Sequence, residues 1–124
     1  MALPTLIIQL DQPGQPALVL NVGDSEQYVF NYADSAGNPL DFSSGVTGTW
    51  DIRDATTATT VISGTAVCAL GSVTVNITKA QATSAPVPSG TPPATPWTLG
   101  VFRLSVDDGT YHKTLEEGVI QGMT

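Results

Sequence analysis

The chain has 124 residues, 41% of them hydrophobic, and eleven acids against four bases give a formal charge of −7. That is enough for one domain with its own core and too little for two ordinary ones. Arg53, Lys79, Arg103 and Lys113 are too few and too scattered to displace nucleic-acid counterions or to hold an anionic lipid surface, so neither partner is expected.

From the N-terminus, Met1 to Leu10 lacks the basic start of an export signal and is broken by Pro4, so no cleaved leader is expected. No apolar run approaches the roughly 18 residues of a membrane-spanning helix. Within this stretch Leu6, Ile7 and Ile8 are apolar enough to form a strand. Residues 1–12 are thus a candidate arm or edge strand, pairing either in their own sheet or on a neighbour's edge.

Period-two alternation then recurs along the chain. Leu18, Leu20 and Val22 share one parity, and Tyr28, Phe30 and Tyr32 share the next after the turn at Gly23-Asp24-Ser25. A dense turn cluster, Asp34-Ser-Ala-Gly-Asn-Pro39, separates these from Val46, Gly48, Trp50 and Ile52. Val73, Val75 and Ile77 alternate with Thr74, Asn76 and Thr78, and Phe102, Leu104 and Val106 with Arg103 and Ser105. Each run reads as a half-buried strand. Trp97 and Leu99 fall on the opposite parity from Phe102, so Gly100 marks an expected bulge. Asp108-Gly109 leads into Tyr111 to Leu115, which predicts a hairpin closed by a type I′ turn. Helical character is confined to one turn over 78–83, capped by Thr78 and stopped by Pro86 and Pro88. About seven or eight short strands with regular turn signals predict an all-β, antiparallel β-sandwich over residues 1–124, with a small closed barrel as its rival.

The search for chemistry returns few candidates. Cys68 is the single cysteine. No cation or helix start stands near it in sequence, so it reads as a small buried hydrophobe rather than a reactive thiol. His112 is the single histidine and sits in a strand pattern without an advertised partner. Asp51/Asp54, Asp107/Asp108 and Glu116/Glu117 are the paired acids. Paired carboxylates serve glycoside hydrolysis only across a cleft, and a hairpin turn already accounts for Asp107 and Asp108. No metal-ligand or phosphate-loop spacing occurs, so no metal and no cofactor are expected. Trp50 and Trp97 are expected in the core, with a stacking platform as the alternative. The Pro-rich loop 84–96, with Pro88, Pro92 and Pro93, is a candidate exposed functional arm.

One succession of segments carries a resemblance. Val22-Gly-Asp24, Tyr28-Val-Phe30 and Asp34 to Ser44 come first. Thr49-Trp-Asp-Ile-Arg53, Gly71 to Thr83, Trp97, Phe102-Arg-Leu104 and Asp107-Asp-Gly-Thr110 follow in that order. The order resembles the small Ig-like domains of tailed-phage virions, in particular the N-terminal domain of siphophage baseplate upper proteins. Here Phe42 replaces a commoner Leu, and the Pro-rich loop is longer. The resemblance implies a non-enzymatic structural protein of a virion, made in the bacterial host cytoplasm. Its implied partners are other virion proteins and further copies of itself, at the tail, baseplate, neck or fibre adaptor. A carbohydrate- or receptor-binding module using Trp97, Tyr111 and the Pro-rich loop is the alternative, as is a capsid decoration protein.

Overall fold

A computed structural model describes residues 5–7 and 18–124 of the chain. Eight strands are β1 (Thr5–Ile7), β2 (Leu18–Asn21), β3 (Glu26–Asn31), β4 (Thr47–Arg53), β5 (Thr60–Ala69), β6 (Ser72–Ile77), β7 (Trp97–Asp107) and β8 (His112–Met123). Among the described residues a single short helix, α1 (Lys79–Thr83), lies between β6 and β7. The all-β class read from the alternation is therefore what the chain adopts. Ile8 and the rest of the candidate arm beyond residues 5–7 lie outside the described residues.

The parities come out as read. Leu18, Leu20, Tyr28, Phe30, Trp50, Ile52, Val73, Val75, Phe102 and Leu104 are all buried. Fully burying one large apolar side chain contributes about 1.5–3 kcal/mol, which exceeds any single turn or cap. Facing the apolar set inward therefore decides each strand's register. Phe30 and Phe102 stack across the core with ring centroids 6.0 Å apart.

The hydrogen-bonded order is β1-β3-β6-β5-β4-β7-β8-β2. Its central strands, β3-β6-β5 and β4-β7-β8, follow the order of an immunoglobulin-type sandwich. The two layers are not separate sheets. Thr60 to Ala66 of β5 pair with β4, and Ala66 to Ala69 pair with β6. Ala66 belongs to both ladders, so one long strand turns the corner and the sandwich approaches a barrel. Alternation does not reveal β5, because a strand that changes layers does not keep one face buried throughout.

At the two ends the pairing is parallel, β1 with β3 and β2 with β8. The sheet is thus mixed rather than wholly antiparallel, a distinction to which side-chain alternation is blind. Tyr28 Oη donates to the Val19 carbonyl at 2.8 Å and ties β3 to β2 across the remaining seam.

The expected irregularity at Gly100 is present as a register shift between Thr98 and Gly100. A Cβ on Gly100 would lie 2.2 Å from the Arg53 carbonyl oxygen, so β4 and β7 approach there as only glycine permits. The closing hairpin differs from expectation. Asp107 pairs with His112, which leaves a four-residue loop, and Gly109 alone has a positive φ within it. A type I′ turn needs two such residues. Asp108 instead keeps a negative φ and uses its carboxylate to hold the loop. Strand β8 also runs on to Met123, well past the predicted Leu115.

Candidate functional site

Four aspartates are consumed by turns. Asp34 Oδ1 accepts from the Ala36 and Asn38 amides at 2.9 Å each. Asp54 Oδ1 accepts from Thr56 and Thr57, and Asp108 Oδ1 from Thr110 and Tyr111. Asp41 Oδ1 accepts from both the amide and the hydroxyl of Ser43. The amides hold the Asp34, Asp54 and Asp108 carboxyls below the usual carboxylate range, and the Ser43 hydroxyl, helped by its amide, does the same for Asp41. Such acids stay ionised and acceptor-only, which suits a turn and not a general acid.

His112 opens β8 as an exposed residue, its Nδ1 3.4 Å from Asp107 Oδ2. Neighbours at that spacing across a hairpin mouth bring no nucleophile with them. Cys68 is half-buried at the Gly48 contact, and burial pushes its thiol pKa up, away from thiolate character. Among the described residues, no group of three or more His, Cys, Asp or Glu side chains is placed to hold a metal ion.

The third acidic pair separates. Glu117 is exposed, but Glu116 is buried and its Oε1 accepts from Tyr32 Oη at 2.9 Å. Sequence reading named this residue only as half of an acidic pair and did not place it inside. Its signal was parity: Glu116, Gly118 and Ile120 lie on one face of β8, and Ile120 is core. The register shift between Leu104 and Ser105 keeps Glu116 opposite Leu104.

The candidate interaction residues do not converge on one place. Leu6 and Ile7 lie in β1, where their backbone pairs with Tyr28 and Val29. Trp97 begins β7 and Tyr111 lies at the far end of the β7–β8 hairpin. Eleven-residue β7 separates them by about 33 Å at an ordinary strand rise. Trp97 is half-buried, its indole lying across Gly122, where a Cβ would come within 2.4 Å. Together with Pro86, Val87 and Pro88 it lines a groove of about 200 Å³. Pro88, Pro92 and Pro93 are exposed, but the loop is tied down. Thr91 donates twice to the Pro88 carbonyl, and the Ala94 amide donates to Thr124. Tyr111 is 76% exposed.

Two larger concavities lie elsewhere on the surface. On the outer side of β4, β5 and β7, a groove of about 380 Å³ is lined by Thr49, Asp51, Thr60, Ser63, Arg103 and Ser105. Within it, Asp51 Oδ2 lies 3.2 Å from Arg53 Nε and 4.0 Å from Arg103 Nη2. At one end of the molecule Tyr32, Pro39 and Leu70 line a more open groove of about 530 Å³. Exposed Leu40 and Leu70 stand on adjoining segments there, since the Gly71 amide donates to the Leu40 carbonyl. The surface therefore offers polar and apolar contact areas, sheet edges and a stiff loop, with Asp34, Asp41, Asp54 and Asp108 spent on turn geometry.

No protein family model matches the chain, and no curated protein is significantly similar to it.

Proposed function

We propose that the protein is a non-enzymatic structural component of a bacteriophage virion, of the tail, baseplate, neck or fibre-adaptor type, assembling through its sheet edges and loops. The observation that carries this reading is the ordered set of turns and strands from Val22 to Thr110. Consistent with a structural role, Asp34, Asp41, Asp54 and Asp108 each clamp a loop through their carboxylates. Supporting it, a −7 charge keeps free copies apart before assembly. Light scattering of the purified chain, together with pull-down against purified phage structural proteins, tests the reading. Self-association or a specific virion partner is expected. A strict monomer that binds no virion protein and enters no particle overturns it.

A second reading, a carbohydrate- or receptor-binding module, draws on the groove beside Trp97. A half-exposed indole flanked by a rigid proline loop is a surface on which a sugar ring stacks. Specific glycan-array binding that is lost in Trp97→Ala with the fold intact would favour it over assembly alone.

A further inference from the structure

We propose that the end of the molecule bearing the β7–β8 hairpin loop is a docking surface for a protein partner that presents an apolar side chain flanked by Lys or Arg. The inference rests on the assembly reading above for the partner being a protein, and deepens that reading by naming the surface and the partner's chemistry.

The strand registers bring three loops to this end. Thr47 pairs with Asp107, Gly48 with Ala66 and Asn31 with Ser72, so segments 32–46, 70–71 and 108–111 all emerge at one end of the sheet. The bridge from Asp41 to Leu70 and the bond from the Gly71 amide to the Leu40 carbonyl join the first two. Among the described residues six large hydrophobic side chains are exposed, and four of them, Leu40, Val67, Leu70 and Tyr111, belong to this end. Single exposed apolar residues are ordinary on a protein surface, but four gathered at one end of a small domain mark a contact area.

The relief suits an inserted side chain. Tyr32, Pro39 and Leu70 line the groove of about 530 Å³, and Phe42, Val46, Val106 and Tyr111 line a second of about 210 Å³. The rings of Tyr32 and Phe42 meet edge to face with centroids 5.7 Å apart, so one aromatic pair stands between the two grooves. The loops are also fixed in advance. Asp34 holds the Ala36 and Asn38 amides, Asp41 holds Ser43, and Asp108 Oδ1 accepts from the Tyr111 amide at 2.7 Å. That last bond pins the backbone of the most exposed of the four apolar residues. A loop ordered before contact gives up less conformational freedom on binding.

Charge selects the partner. The same segments carry Asp34, Asp41, Asp107 and Asp108 against Lys113 as the one permanent cation. Their turn bonds hold Asp34, Asp41 and Asp108 in the ionised form. A negative rim around an apolar floor is complemented by a basic rim around an apolar anchor. The same end of a second copy would set these carboxylates against their own images, and nucleic acid or anionic lipid would meet the same repulsion.

A displayed library of short random peptides, selected against the full chain, tests this. The selected peptides are titrated against the unaltered chain and against Tyr111→Ser and Leu70→Ser, each shown to fold by thermal melting. Peptides joining an aromatic or aliphatic residue to Lys or Arg are expected, with affinity about tenfold lower in either variant and falling as salt is raised. Selected peptides without a basic excess, affinities that neither variant changes, or a library that yields no binder overturn the proposal. A virion protein that binds both variants as tightly as the unaltered chain overturns this surface and leaves the assembly reading standing. When the chain binds basic apolar peptides here but neither itself nor any virion protein, the surface stands and the assembly reading falls.

Discussion

Ala58 and Ala94 hold φ near +59°, a left-handed conformation that costs an alanine about 1–2 kcal/mol and a glycine almost nothing. In the Asp54–Thr59 turn this strain is imposed by geometry, since the Ala58 amide donates to Asp54 and the Asp54 amide to Thr59. Ala58→Gly is therefore expected to be neutral to stabilising, by up to about 1 kcal/mol after the entropy of the freer unfolded chain is subtracted. Gly109→Ala, at φ +93°, should destabilise by at least about 1 kcal/mol. Urea melts of both variants check the opposite signs. Close approach gives a second residue-scale contrast. A Cβ on Gly64 would stand 2.8 Å from the Trp50 indole, whereas one on Gly100 would meet the Arg53 carbonyl oxygen at 2.2 Å. The indole can tilt but a paired backbone cannot. Gly64→Ala should thus cost about 1–3 kcal/mol and Gly100→Ala more, read as denaturation midpoints.

The one helix illustrates the scale of elements. Five residues are too few to be stable by propagation alone, and α1 persists because Thr78 and Gln81 form a reciprocal capping box. The Gln81 side chain also donates to the Ser63 carbonyl at 3.1 Å and fastens the helix to β5, while Ala82 is buried beneath it. Thr78→Ala is expected to lower global stability by about 1 kcal/mol and to raise amide exchange across 79–83 first. These pieces were legible from sequence because they are local: a capping residue, a stop before Pro86 and a period of two. Strand β5 was not, since its pairing switches from β4 to β6 at Ala66, a non-local event. Nor was the four-residue hairpin loop, where the Asp108 carboxylate accepting two amides competes with the I′ turn that Asp-Gly favours.

For the whole molecule, the aspartate turns couple stability to pH. Asp34, Asp41, Asp54 and Asp108 have carboxyl pKa values below the ordinary 3.8 in the folded chain. In acid the unfolded chain therefore binds more protons than the folded one. The contribution is complete above the unfolded value and is lost as pH falls through the lowered folded values. Urea midpoints should hold steady down to about pH 5 and decline below about pH 4. Asp108→Asn should flatten part of that acid limb. An unchanged midpoint through the acid range would mean that these carboxylates do not stabilise the fold.

The sequence by itself determined the all-β class, the inward parity of the main strands, the capped helical turn and the bulge at Gly100. All of these follow from interactions within a few residues or from a strict period. The tertiary structure alone decided the parallel pairing of the two outermost strands, the corner strand that joins the layers and the burial of Glu116 against Tyr32. It also set Trp97 and Tyr111 at opposite ends of a hairpin, though both were candidates for one surface. Alternation records which face a side chain occupies but not which strand lies beside it. Partners distant in sequence are chosen by closing the core, and no local pattern encodes that choice.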